Sequence, residues 1–151
     1  MVVKRNWNHF DFCYKSRQHP LSPVVAGGES ASLVVNHALA LVSHLHLEGT
    51  TIRSAAPFVL KGKRGEKRGL QIDLLIQTPR VAYIVEVKRR IKIGREIEQG
   101  IAEKVTAFPK RRGISIRTAL VYDGELDEAV ARSGAFDVLL PFSRLLGIEE
   151  K

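Results

Sequence analysis

Three ionisable residues interrupt two apolar runs between Gly69 and Lys88, in the stretch GLQIDLLIQTPRVAYIVEVK: Asp73, Glu86 and Lys88. An acid inside an apolar strand loses solvation and needs a compensating partner. The runs Leu70 to Ile76 and Val81 to Lys88 read as strands joined around Thr78-Pro79, which predicts an antiparallel hairpin. Strand side chains alternate between faces, so Ala82, Ile84, Glu86 and Lys88 share one face, and Gln71, Asp73 and Leu75 share one on the first strand. A turn centred on Thr78-Pro79 pairs Ile76 with Val81, Asp73 with Ile84 and Gln71 with Glu86. In that register Asp73 and Glu86 are diagonal neighbours on one face, roughly 7–8 Å apart.

Two hard carboxylate ligands can hold Mg²⁺, or Mn²⁺, and leave positions for water and phosphate. The metal lowers the pKa of a bound water and neutralises phosphoryl charge. A lysine beside it orients the attacking water or stabilises the transition state. Phosphodiester hydrolysis needs those parts. The competing reading makes Glu86 and Lys88 the polar face of an edge strand, with Asp73 a salt-bridge partner. Converging carboxylates beside Lys88 in an open basic cleft favour hydrolysis. Carboxylates sealed into a salt bridge favour a non-catalytic module.

The elements that position these residues follow from the rest of the chain. Ser30 or Ser32 can cap a helix running to about Leu47, apolar over most of its circumference. His37 and His44 share one stripe of it, a polar stripe or a metal site. Thr50 to Leu60 reads as a strand broken near Pro57. Ile97, Ile101, Val105 and Phe108 recur at helical spacing, giving an amphipathic helix from Gly94 to Phe108. Gly100 inside it costs about 1 kcal/mol relative to Ala, which suggests a close backbone. Ile114 to Tyr122 is a strand, Glu125 to Arg132 a helix, Phe136 to Leu140 a strand and Phe142 to Leu146 a last helical turn. The order is helix, three strands, helix, strand, helix, strand, helix. The helix before the fourth strand is long enough for a parallel crossover. The expected fold is an α/β sandwich around a mixed central sheet.

Lys and Arg outnumber Asp and Glu by 24 to 16, a formal net charge of +8. That excess suits a polyanion, although a basic protein without a nucleic-acid role has the same balance. Lys61 to Gly69, KGKRGEKRG, carries five basic residues and three glycines. It lacks the spacing of a phosphate-binding P-loop. It reads equally as a loop that grips a phosphate backbone or as a solvated hairpin tip. Candidate phosphate contacts are Lys61, Lys63, Arg64, Lys67, Arg68, Arg89, Arg90, Arg111 and Arg112.

The length of 151 residues fits one domain, expected over residues 29–148, after a poorly ordered lead of residues 1–28. Aromatics in the lead alternate with basic residues and could stack on single-stranded bases. The single cysteine, Cys13, excludes an internal disulfide framework. No run approaches the roughly 20 apolar residues of a membrane span, and no signal-peptide pattern opens the chain, so a cytoplasmic protein is expected.

The stretch IDLLIQTPRVAYIVEVK resembles the active-site hairpin of the PD-(D/E)XK nuclease superfamily. Asp73 matches the first acid, Glu86 the second and Lys88 the lysine, with Ile72 where the motif's proline stands. The resemblance extends from about Ser32 to Leu146, through SLVVNH, GLQIDLLIQT, VEVKRR, PKRRGISIRTALVYDG and FDVLLPFSRLL. Over that span it is to the restriction-endonuclease-like domain at the C-terminus of prokaryotic AAA-type ATPases, the archaeal-ATPase-like group. It implies a restriction-endonuclease-like α-β-β-β-α-β core, with Asp73 and Glu86 as metal ligands and Lys88 as the catalytic lysine. It also implies nucleic acid, DNA first, as partner, and an AAA-type ATPase module or a homodimer as further partners. The ATPase part is absent, so the chain is expected to be the nuclease-like domain alone. Ala31 stands where members often carry a further Glu in the first helix; Glu29 lies two residues upstream, about 200° round a helix. Glu98 could supply a ligand from the later helix, or be solvated.

Three functions follow as hypotheses: a Mg²⁺-dependent nuclease, a non-catalytic module that binds DNA or regulates an ATPase, and a structural domain that oligomerises.

Overall fold

The computed structural model describes residues 37–62 and 69–148. The expected lead, the caps at Ser30 or Ser32, Glu29 and Ala31, and the loop residues Lys63, Arg64, Lys67 and Arg68 lie outside the described residues.

Five strands form one mixed sheet in the order β1-β2-β3-β4-β5. They are β1 (Ser54–Leu60), β2 (Leu70–Gln77), β3 (Val81–Ile93), β4 (Ser115–Leu126) and β5 (Val138–Pro141). Among the described residues the helices are α1 (Ala38–His44), α2 (Glu96–Ala107), α3 (Glu128–Ser133) and α4 (Phe142–Leu145). This is the element order expected from the sequence. β1, β2 and β3 pair antiparallel, and β3, β4 and β5 pair parallel. The α2 connection is therefore the parallel crossover that its length allowed.

The central strand is apolar on both faces, because helices cover both sides of the sheet. One core joins Leu70, Ile72, Leu75, Ala82, Ile84 and Leu120 to Ile97 and Ile101 of α2 and Val130 of α3. The other joins Leu74, Ile76, Val85, Ala119 and Val121 to Leu41 of α1 and Leu145 of α4. Ala82 and Ile84 face α2, so Glu86, two residues further along β3, faces α2 as well.

Several boundaries differ from expectation, each for a local reason. The first helix ends at His44 rather than near Leu47, and His46 takes a positive φ of 54°. α2 ends at Ala107 because Phe108 is extended (ψ 131°), as the residue before a proline is biased to be. β3 and β4 run on to Ile93 and Leu126, past the expected Lys88 and Tyr122, through a bulge between Arg89 and Lys92. Gly124 permits that extension: its φ is +128°, and a Cβ there would stand 1.6 Å from the Arg90 carbonyl oxygen. The helix expected from Glu125 starts later, where the Asp127 side chain accepts the Ala129 N–H at 2.8 Å. Gly100 has no backbone against it; a Cβ there meets nothing within 4 Å.

The hairpin register is shifted from the counted one. Gln77 pairs with Ala82, Ile76 with Tyr83, Leu75 with Ile84 and Leu74 with Val85. The Thr78 hydroxyl oxygen accepts the Val81 N–H at 2.9 Å and the Arg80 N–H at 3.3 Å. Thr78 N–H donates to the Val81 carbonyl at 2.9 Å. Threonine thus closes a loop of Pro79 and Arg80, one residue later than a turn centred on Thr78-Pro79. A shift of two residues would by itself preserve the faces, but Leu75 packs with Leu70 and Ile72, so Gln71 does not share its face as expected.

Candidate active site

Asp73 owes its position to an irregularity that Pro57 imposes. β1 pairs Ala56 with Leu75 and Phe58 with Ile72, so Asp73 and Leu74 together oppose Pro57 alone. Proline has no N–H to give a ladder and is tolerated at such a bulge. The face alternation of β2 changes there: Ile72 packs toward α2, whereas Leu74 packs toward α1. On its other side, the β2–β3 ladder ends at Leu74 and Val85. Continued one pair further, it would set Asp73 opposite Glu86. Instead the Asp73 carboxylate itself accepts the Val87 N–H, at 2.9 Å, in place of a main-chain acceptor.

Glu86 is 6% exposed. A carboxylate so placed requires counter-charges. Lys88, two residues along the same strand face, puts its Nζ 2.6 Å from Glu86 Oε1. Lys104 of α2 donates to Glu86 Oε2. Both lysines are themselves mostly covered, with side chains 27% and 22% exposed.

Asp73 belongs electrostatically to the same cluster. Burial pushes its carboxyl above the ordinary aspartate range, and the Glu86 charge adds to that rise. The Val87 N–H, then the Lys104 charge, then the Lys88 charge oppose it. Four groups from three elements, Asp73 on β2, Glu86 and Lys88 on β3, and Lys104 on α2, thus form one nearly neutral cluster where β2 and β3 part. Tyr122 is the ladder partner of Lys88 on β4 and packs at the margin of the α2-side core.

The expected site residues Asp73, Glu86 and Lys88 are brought together. Lys104 was not foreseen. It is three residues after Ile101 and seven after Ile97, on the buried stripe of α2, and that placement is the sequence signal for it. The side chain of Glu98 is 18% exposed, so it is not solvated as expected. Its Oε2 accepts from Arg95 at 3.2 Å, and Oε1 is buried without a hydrogen-bond partner. Glu98 precedes Lys104 by six residues, roughly 9 Å along the helix axis. Among the described residues no three His, Cys, Asp or Glu side chains form a metal-ligating group, and this applies to His37 and His44 as well.

The basic candidates divide between two ends of the sheet. Lys61, which follows β1, and Arg89 and Arg90, late in β3, lie at the end where β2 begins and β3 finishes. Arg111 and Arg112 precede β4, at the end where Val81 pairs with Ser115. Lys88 pairs seven steps further on, with Tyr122, roughly 23 Å away at ~3.3 Å per residue. Arg111 and Arg112 therefore do not share a surface with the carboxylates. Arg89 pairs with Asp123 at 3.1 Å and Arg90 with Glu96 at 3.2 Å, both in exposed pairs that solvent weakens.

A donor set of two carboxylates is chemically suited to Mg²⁺, which keeps several waters and often uses only one or two protein carboxylates. No known family profile matches the sequence, and no curated protein matches it. Among solved structures, the chain is similar to a protein of unknown function, AF1548, at 13% identity and a TM-score of 0.46. The alignment covers 74% of this chain and 59% of that one, so the chain spans less than two thirds of that structure's length. No helix among the described residues is long and apolar enough to cross a membrane.

Proposed function

We propose that the chain is a restriction-endonuclease-like domain that hydrolyses phosphodiester bonds of nucleic acid, DNA first, with Mg²⁺ or Mn²⁺. The observation that carries the reading is the meeting of Asp73, Glu86, Lys88 and Lys104 at the parting of β2 and β3. Asp73 and Glu86 would hold the cation. Bound there, it would lower the pKa of a water and neutralise charge on the phosphoryl group. Glu86 fixes Lys88 by direct contact, so the Lys88 ammonium is positioned to orient water or to stabilise charge on a phosphate oxygen. Lys61, Arg89 and Arg90, at this end of the sheet, would hold flanking phosphates.

One observation favours a second reading. Both Glu86 oxygens are engaged by ammonium groups. A pair kept closed in that way suits a non-catalytic module that binds DNA or regulates an AAA-type ATPase.

Plasmid nicking separates the two. The nuclease reading expects nicking with Mg²⁺ or Mn²⁺ that Asp73→Ala and Lys88→Ala abolish. Wild-type protein inert with both metals, or nicking that survives both substitutions, would leave the binding module standing.

A further inference from the structure

We infer that Lys104 occupies the cation's place on Glu86, and that on metal binding its ammonium transfers to a phosphate of the nucleic acid. The inference rests on the metal-site reading above and adds a coupling between the two ligands. Lys104 donates to Glu86 Oε2 from a different element, whereas Lys88 holds Oε1 from the same strand. The Lys104 ammonium thus stands on the Glu86 oxygen that the strand's own lysine does not hold, where a divalent cation would bind.

The lysine stem is flexible and ends in a compact charge with rotatable donors, so exchange of Lys104 for a cation needs no movement of the backbone. Its side chain is 22% exposed, so it already borders solvent. Released from Glu86 beside a bound cation, Lys104 meets like charge on one side. A phosphate is then its natural counter-ion. Metal and nucleic acid would bind with positive coupling, and the coupling is reciprocal.

The test uses the 151-residue chain in wild-type, Lys104→Met, Lys104→Gln and Lys88→Met forms, each checked for folding by circular dichroism. Calorimetric Mn²⁺ titration without nucleic acid comes first. Lys104→Met and Lys104→Gln should bind Mn²⁺ about 5- to 10-fold more tightly than wild type, and more tightly than Lys88→Met. Duplex affinity is then measured with and without Ca²⁺. Ca²⁺ should tighten wild-type binding, and that gain should shrink in both Lys104 variants. Mn²⁺ affinity equal to wild type, or raised no more than by Lys88→Met, overturns the inference and leaves the metal site intact. An undiminished Ca²⁺ gain in the Lys104 variants does the same. Failure of wild type and every variant to bind Mn²⁺ overturns the metal-site reading itself, and the inference with it.

Discussion

Lys104 on α2 donates to Glu86 on β3 across eighteen residues of chain, and that contact ties the helix to the candidate site. It fills the volume over β3 with a charge where the rest of the stripe, Ile97 and Ile101, is apolar. Removing the acid is the direct probe. Glu86→Ala takes from Lys88 and Lys104 the carboxylate that both contact, and leaves Asp73 as the one acid of the cluster. The expected loss in urea denaturation is about 1–3 kcal/mol, less than for a fully sealed pair because both lysine side chains are partly exposed. Glu86→Gln, which keeps an acceptor, should lose less than Glu86→Ala.

Asp73 and Asp137 should respond to pH in opposite senses. Burial, with the Glu86 charge, raises the Asp73 carboxyl, so the folded state holds that proton more tightly than the unfolded chain. Its ionisation then costs stability as pH rises from the unfolded value near 3.8 through the higher folded value. Asp73→Asn keeps an acceptor for the Val87 N–H without that cost. Its stability relative to wild type should therefore be greater at pH 7 than at pH 3, by denaturant titration at each pH.

At Asp137 burial pushes upward, but the Thr118 N–H, the Arg117 guanidinium and the Thr118 hydroxyl outweigh it, and the carboxyl is lowered. Its contribution is present above the unfolded value and lost as pH falls through the lower folded one. Asp137→Asn should destabilise at pH 7 and approach wild type in acid. The same titrations read both variants.

Two glycines give predictions independent of function. Gly100 is helical, exposed and uncrowded, so Gly100→Ala should stabilise by about 1 kcal/mol. Gly124 has φ +128° and lies against the Arg90 carbonyl. Gly124→Ala should destabilise by at least ~1–3 kcal/mol, the cost of such backbone strain alone. Thermal melts of the two proteins should move in opposite directions.

The order of elements was legible because most apolar runs are bounded by breakers, Pro79, Pro109 and the glycines among them. The three residues Asp73, Glu86 and Lys88 were legible because ionisable groups in apolar strands are rare enough to notice. The register was not. It depends on the Thr78 hydroxyl, which competes with the main chain for the Val81 N–H. Nor was the bulge at Asp73, although Pro57 marked where a ladder must yield. Lys104 was hidden by its type: a lysine on an amphipathic helix reads as solvated unless its place on the apolar stripe is counted. The basic candidates carried no spatial grouping in the sequence, and the sheet is what separates Arg111 and Arg112 from Arg89 and Arg90.

The central claim is that Asp73 and Glu86 share one divalent cation, and anomalous scattering from an Mn²⁺-soaked crystal tests it most directly. One peak is expected in direct contact with carboxylate oxygens of both residues, with Lys104 withdrawn from Glu86. No peak at that position, with Lys88 and Lys104 both still on Glu86 at saturating Mn²⁺, would contradict it.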